Sequence, residues 1–166
     1  MIAFNQRMDP NFAEAKAQIK NDKIGRVHTI HIISRDPGPP PVSYIKESGG
    51  LIIDMTIHDF DMARYITGRE VVEVFAKGYN LIDPEIGKAG DIDTGIVLLS
   101  MKDKITHLSS HFDFFMDRYE ISYQIEMEAF INSLKNKSLM AINGEDGLKA
   151  MLIAHAANIS MVQNRN

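Results

Sequence analysis

The residues best suited to chemistry in this sequence are Asp54 and His58, which lie four positions apart. On a helix that spacing places both side chains on one face, within hydrogen-bonding reach of each other or of a shared ligand. A neighbouring carboxylate favours the imidazolium and holds one ring nitrogen protonated, which leaves the other nitrogen to take a proton from a substrate hydroxyl. Oxidation of an alcohol needs such a base, because the O–H proton must leave when the carbon gives up hydride. The pair therefore predicts a general base for alcohol oxidation.

Two other interpretations of these residues stay open on spacing alone. In the first, Asp54 caps the N-terminus of the helix and His58 is a structural residue held by hydrogen bonds. Asp/His pairs four residues apart are common on helix faces. A metal site is the other alternative, because the segment from Asp54 to Asp61 offers nitrogen and oxygen ligands within eight residues. It is the weaker one, because on a helix Asp59 and Asp61 point away from the face that carries His58. We therefore expect no metal ligands in this chain.

The composition limits the class of protein and its partners. The chain has 166 residues, 45% of them hydrophobic, which suffices for one core and predicts a single domain over 1–166. Eighteen basic and 22 acidic residues give a net charge of −4 without a run of either sign, so we expect no nucleic-acid partner. The chain has no cysteine, which excludes disulfides and thiolate nucleophiles.

No segment of the sequence predicts an association with a membrane. Polar residues interrupt every apolar stretch well before the roughly 18 residues that a membrane span needs. The first residues, MIAFNQRMDP, also lack the layout of a secretory signal. We therefore expect a cytoplasmic protein.

The elements that must position Asp54 and His58 follow from hydrophobic spacing and turn residues. We predict helices over about 10–21, over the segment from the Gly49-Gly50 pair to Gly68, from Phe115 to about Leu134, and from about 144 onward. Strands are predicted at 26–35, 73–82, 93–101 and 104–112, the first in a central place and the last two as a hairpin. The four prolines within 37–42 predict a stiff, extended loop.

Strands grouped between terminal helices predict an α+β fold. We expect a mixed, mainly antiparallel sheet with helices packed on one face. If the other face is as apolar as Ile30, Val97 and Leu99 suggest, a second subunit covers it. The sequence thus predicts a homo-oligomer that associates through the sheet face.

Several segments, in the same order, resemble a known family. FNQRMDPNF, KIGRVHTIHIISRDPGPPP, SGGLIIDMTIHDFDMARYITG and DTGIVLL, within residues 3–101, resemble the C-terminal domain of the glucose-fructose oxidoreductase / inositol 2-dehydrogenase / MocA family. The pattern GG-x3-D-x3-H-DFD is the most specific of these elements. FFMDRYEISYQIEMEAFINSL and GEDGLKA are similar to the closing helices of the family.

The resemblance implies an activity and a site. It implies that Asp54 and His58 are catalytic, with His58 as the general base toward a hydroxyl of an inositol or sugar, and with NAD as the cofactor of the complete enzyme. It also implies that FNQR and SRDPGPPP border the polyol pocket, so that Gln6, Arg35 and Asp36 contact the substrate. Gln6 stands where family members often have a basic residue.

Two departures from the family pattern change this expectation. The chain contains no G-x-G-x-x-G and no Glu-Lys-Pro segment, so we expect the N-terminal dinucleotide-binding domain to be missing and the chain to hold no cofactor site. After Phe112 the chain passes almost directly to FFMDRYE and skips a Tyr-Gly-Tyr-Asp-like substrate segment. A non-catalytic oligomerisation or polyol-binding module is therefore the alternative function, ahead of a metal-dependent isomerase or hydrolase.

Overall fold

A computed structural model describes residues 1–102, 106–112 and 119–163 of the chain, with the backbone alone over 106–112. The described α-helices are α1 (Pro10–Lys20), α2 (Val42–Ser48), α3 (Ile57–Thr67), α4 (Pro84–Lys88), α5 (Glu120–Asn136) and α6 (Gly144–Gln163). The described strands are β1 (Thr29–Arg35), β2 (Val71–Tyr79), β3 (Thr94–Met101) and β4 (Thr106–Phe112). A 3-10 turn (Asn5–Met8) precedes α1, and a π-helical segment (Leu51–Thr56) leads into α3.

The strands form one sheet in the order β1-β4-β3-β2. Strand β3 is antiparallel to both of its neighbours, whereas β1 and β4 are parallel. The predicted α+β class, the mainly antiparallel sheet and the β3–β4 hairpin are therefore confirmed. The predicted central place of the first strand is wrong, because β1 lies at an end of the described sheet. A β-branched run predicts a strand, but it does not distinguish an edge strand from a central one.

Helices α3 and α6 pack on one face of the sheet and form its core. The inward residues of β2 and β3 meet alanines of α6, whose small side chains let the helix approach the sheet closely. The central members of this core are Phe60, Ala63, Val74, Ala76, Val97, Leu99, Ala154 and Ala157. The hydroxyl of Ser160 on α6 also accepts a hydrogen bond from the backbone N–H of Ala76, at 3.0 Å.

The opposite face of the sheet carries exposed apolar side chains. Ile33, Ile96 and Leu98 are 59%, 51% and 36% exposed. Val97 and Leu99, which the sequence suggested for this face, both point into the core, and Ile30 lies on the same side of the sheet as Leu99. Neighbouring residues of a strand point to opposite faces, so the assignment was wrong by one position. The open face therefore combines the apolar side chains of Ile33, Ile96 and Leu98 with polar ones such as His31 and Lys77.

Two short helices, α2 and α4, lie where no helix was predicted. The proline-rich stretch ends in α2, whose N-terminal cap is Pro41. Asp83 caps α4 by accepting the N–H of Glu85, and Pro84 occupies the first helical position. Seven and five residues are too few for a periodic apolar pattern to reveal a helix. The helix predicted from Phe115 is described from Glu120 onward, and residues 113–118 lie outside the described residues.

None of the helices in the described ranges combines the length and apolar character needed to cross a membrane.

The packing of β3 generates a stability prediction for a buried leucine. Leu99 is fully buried between the sheet and the helices. Leu99→Ala should lower the free energy of unfolding by about 2–5 kcal/mol, because it leaves a cavity there. Leu139→Ala is the control, because Leu139 is 95% exposed and lies outside the sheet, and it should lower the free energy of unfolding by less than about 0.5 kcal/mol. Urea unfolding followed by circular dichroism measures both, and equal losses would contradict the described core.

Candidate functional site

A tight turn positions the segment that carries Asp54. Gly50 has φ +78°, a conformation that L side chains rarely adopt, and a Cβ at this position would lie 2.5 Å from the Asp91 carboxylate. The backbone N–H of Leu51 donates to that carboxylate at 2.9 Å. Asp91 therefore satisfies the first N–H of the π-helical segment, and only glycine fits at Gly50.

The segment beyond the turn is a π-helix rather than the regular α-helix predicted. Its residues, Leu51–Thr56, join directly to α3 at Ile57, so Asp54 lies in the π-helical part and His58 in the α-helical part. The hydroxyl of Thr56 donates to the carbonyl oxygen of Leu51 at 3.0 Å across this segment. Short π-helical insertions are frequent at functional sites.

The carboxylate of Asp54 accepts a hydrogen bond from a tyrosine. The phenol O–H of Tyr44 on α2 donates to Oδ1 of Asp54 at 3.0 Å. The structure records no hydrogen bond between Asp54 and His58 among the described residues. The direct pairing of carboxylate and imidazole considered from the spacing thus stays a prediction, and the described partner of Asp54 is Tyr44.

Asp54 lies at the wall of a small cavity, about 80 Å³ in volume. The proline-rich loop, α2, the π-helical segment and the stretch around α4 enclose it with mainly apolar side chains. Representative lining residues are Asp36, Pro39, Ile45, Asp54, Ile86 and Asp91. Of the five side chains predicted for the site, this cavity brings together Asp36 and Asp54. Such a pocket, apolar with a few convergent carboxylates, can orient hydroxyl groups by accepting their hydrogen bonds.

His58 lies one turn along the helix, outside the residues that line the cavity. Its ring meets the ring of Phe4 edge-on, with centroids 5.7 Å apart. Within the described part of the chain, its Nδ1 atom is buried and has no hydrogen-bond partner. Burial lowers the pKa of His58 below its usual value, although the carboxylates of Asp59, Asp61 and Asp54 oppose that shift. Burial thus favours a neutral imidazole, the form that can accept a proton.

The other acids of the helix are bound within the protein. Asp59 accepts a hydrogen bond from the hydroxyl of Ser34 at 2.8 Å. Asp61 is 1% exposed and accepts two hydrogen bonds from Arg7, at 2.7 and 2.6 Å. Among the described residues, no three His, Asp or Glu side chains gather as metal ligands. The metal interpretation therefore has no support in this part of the chain.

The Arg7–Asp61 pair belongs to a network that fixes the 3-10 turn against α3 and α6. Arg7 also binds Asp146 at 2.9 Å. Arg64 bonds to Glu70 at 2.9 Å, and this hydrogen bond, with one from Lys149, lowers the pKa of Glu70 to about 2. Removing one partner of such a buried pair is costly. By holding the turn that follows Phe4, the network also fixes the ring that packs against His58.

The remaining predicted site residues lie apart from the cavity lining. Arg35 is exposed at the end of β1, and Gln6 is half-buried in the 3-10 turn. Tyr44 and Asp91 were not among the residues predicted for the site. The position of Tyr44 directly after the proline-rich loop was a signal for its proximity to the site. No spacing could have revealed Asp91, which lies 40 residues from the N–H that it accepts.

The described residues do not fit a dinucleotide cofactor. Binding of NAD requires a strand, a glycine-rich turn and a helix in succession. The parallel strands β1 and β4 lack this arrangement, because β1 leads into the proline-rich loop. The sequence also contains no G-x-G-x-x-G.

The lowered pKa of His58 predicts a pH dependence of stability. In the unfolded chain His58 takes up a proton near its ordinary pKa of 6.5, whereas in the folded protein it does so only at lower pH. The folded state therefore loses stability as the pH falls from 6.5 through the lower pKa of the folded protein. His58→Gln should remove this loss from that pH range. Urea unfolding of both proteins at a series of pH values measures it, and NMR should show His58 titrating below 6.5. Titration of His58 above 6.5 would contradict its desolvation.

A scan against protein-family models matches residues 12–129 to the GFO/IDH/MocA C-terminal domain. The myo-inositol 2-dehydrogenase of Thermotoga maritima is 40% identical, in a match that covers 98% of this chain and 62% of that protein. The inositol 2-dehydrogenase of Rhizobium meliloti is 37% identical over 99% of this chain and 63% of its own length. The chain thus spans about six tenths of the length of these relatives.

Solved structures agree with the family model. The scyllo-inositol dehydrogenase of Lactobacillus casei, crystallised with NAD(H) and scyllo-inositol, matches with a TM-score of 0.89 and 27% identity over 99% of this chain and 63% of that one. The alignment with the Thermotoga protein runs over 207 residues although this chain has 166, so that relative carries additional residues within the matched region. By family model, relatives and fold, the chain belongs to the GFO/IDH/MocA family and corresponds to its C-terminal domain.

Proposed function

We propose that this chain is the substrate-binding part of an NAD-dependent enzyme that oxidises a secondary alcohol of an inositol or a related sugar. The observation that carries the proposal is the π-helical segment, which places Asp54 at a cavity and His58 one turn further along. The inositol dehydrogenases among the relatives supply the substrate class. They favour this function over a non-catalytic module.

The proposed roles follow from the environment of each side chain. Asp54, a cavity-wall carboxylate with one oxygen held by Tyr44, accepts a hydrogen bond from a substrate hydroxyl. His58, which burial keeps neutral, takes the proton of the hydroxyl that is oxidised. The electrons leave with the hydride, and the acceptor must be held by residues other than those described. Asp36 on the cavity wall is proposed as a further substrate contact, and so are Arg35 and Gln6, which lie outside the cavity lining.

We also propose that the open face of the sheet joins two copies of the chain in the cytoplasm. Ile33, Ile96 and Leu98 expose apolar surface on one side of the sheet, and such surface tends to be covered in a symmetric association. A cytoplasmic location is compatible with the absence of cysteine.

The catalytic proposal is tested by joining the chain to the dinucleotide-binding domain of the Thermotoga relative. The fusion should reduce NAD in the presence of myo-inositol, and His58→Ala should lower its turnover by about 10²–10⁴-fold, because the base is lost. His155→Ala is the matched control: His155 is exposed on α6, and its loss should leave the rate unchanged. The increase in NADH absorbance at saturating inositol measures the turnover of the fusion and of its two variants. Equal turnover of the fusion and its His58→Ala variant would rule out the role of His58.

The proposed association is tested by placing a charge on the open face. Ile96→Lys should shift the protein from dimer to monomer in sedimentation velocity, because a charge would be buried at the interface without a partner. Leu139→Lys is the control, since Leu139 is 95% exposed and lies outside the sheet. A wild-type chain that is monomeric at all concentrations would contradict the proposal.

A further inference from the structure

The side chain of Tyr44 is not explained by packing. It is 49% exposed, whereas its neighbour Ile45 on the same helix is 6% exposed and anchors α2 at the cavity. The described polar contact of Tyr44 is the bond from its phenol to Oδ1 of Asp54, at 3.0 Å. The hydrogen bond to Asp54, rather than burial of its ring, is therefore the interaction by which Tyr44 contributes to this site.

The backbone on both sides of this bond is constrained. The N–H groups of Tyr44 and Ile45 donate to the carbonyl of Pro41, at 2.9 and 3.2 Å, which fixes the start of α2 after the proline-rich loop. On the other side, Gly50 and Asp91 fix the start of the π-helical segment that carries Asp54. Phenol and carboxylate thus meet between two rigid pieces of chain, a favourable arrangement for holding one geometry.

A carboxylate at the wall of a cavity can rotate unless one of its oxygens is bound. The Tyr44 bond occupies Oδ1 and leaves Oδ2 as the acceptor for a ligand hydroxyl. We propose that Tyr44 is a positioning residue of the polyol site, whose phenol holds the Asp54 carboxylate in the orientation that accepts a substrate hydroxyl. This inference rests on the function proposed above for the cavity.

The first test is a double-mutant cycle on ligand binding by the chain itself. The probes are myo-inositol and scyllo-inositol, with dissociation constants from NMR titration. Tyr44→Phe keeps the ring and removes the donor, and it should weaken binding by about tenfold. In an Asp54→Asn background the same change should weaken binding by less than about twofold, because the two groups act as one unit.

The matched control is Tyr123→Phe, which alters a tyrosine that is 40% exposed on α5, away from the cavity lining. It should leave both dissociation constants unchanged. The inference is overturned if Tyr44→Phe binds the inositols as tightly as the wild type does. It is equally overturned if the effects of Tyr44→Phe and Asp54→Asn simply add, as expected of two independent sites.

A second readout does not depend on any ligand. The hydrogen bond to Asp54 raises the pKa of Tyr44 above 10, so Asp54→Asn should lower it toward 10 in a titration of ring-labelled tyrosine. An unchanged pKa would refute the contact. If the wild type binds neither inositol while the phenol responds to Asp54→Asn, the polyol function fails and the contact between Tyr44 and Asp54 stands.

Discussion

The contact of the Asp91 carboxylate with the backbone at Gly50 and Leu51 determines the geometry of the site. It satisfies the first N–H of the π-helical segment and lies so close to Gly50 that no side chain fits there. The chain must therefore turn at the glycine pair and enter the helix at one defined angle. That angle brings Asp54 to the cavity wall and to Tyr44, and it places His58 beside Phe4.

The three aspartates between Asp54 and Asp61, spread over the π-helical segment and α3, serve two different purposes. Asp59 and Asp61 are turned toward Ser34 and Arg7, where they hold β1 and the 3-10 turn against α3. Asp54 instead faces a cavity and keeps one oxygen available. His58 lies between these groups, and its burial outweighs the attraction of the three nearby carboxylates. Burial therefore lowers the pKa of this histidine and favours its neutral form, although the helix is rich in acids.

The sequence predicted the elements with long periodic patterns and the residues that carry the family motif. The helices at the two ends of the chain and the hairpin of β3 and β4 follow from local spacing, whereas the proximity of Asp54 to the proline-rich loop was expected only from the family resemblance. Contacts between distant parts of the chain could not be predicted in this way. Asp91 and Arg7 act on residues 40 and 54 positions away, and the face to which Val97 points depends on a register that one residue reverses.

The hydrogen bond to the hydroxyl of Ser160 has a consequence for the edge strand β2. Strand β2 is an edge strand of the sheet that the described residues form, and the unpaired peptide groups of an edge strand can pair with another chain. Ser160 takes one of these N–H groups, that of the fully buried Ala76, and α6 lies against the same strand. The helix that completes the core thus also occupies part of this edge and leaves less of it open to strand addition by another chain.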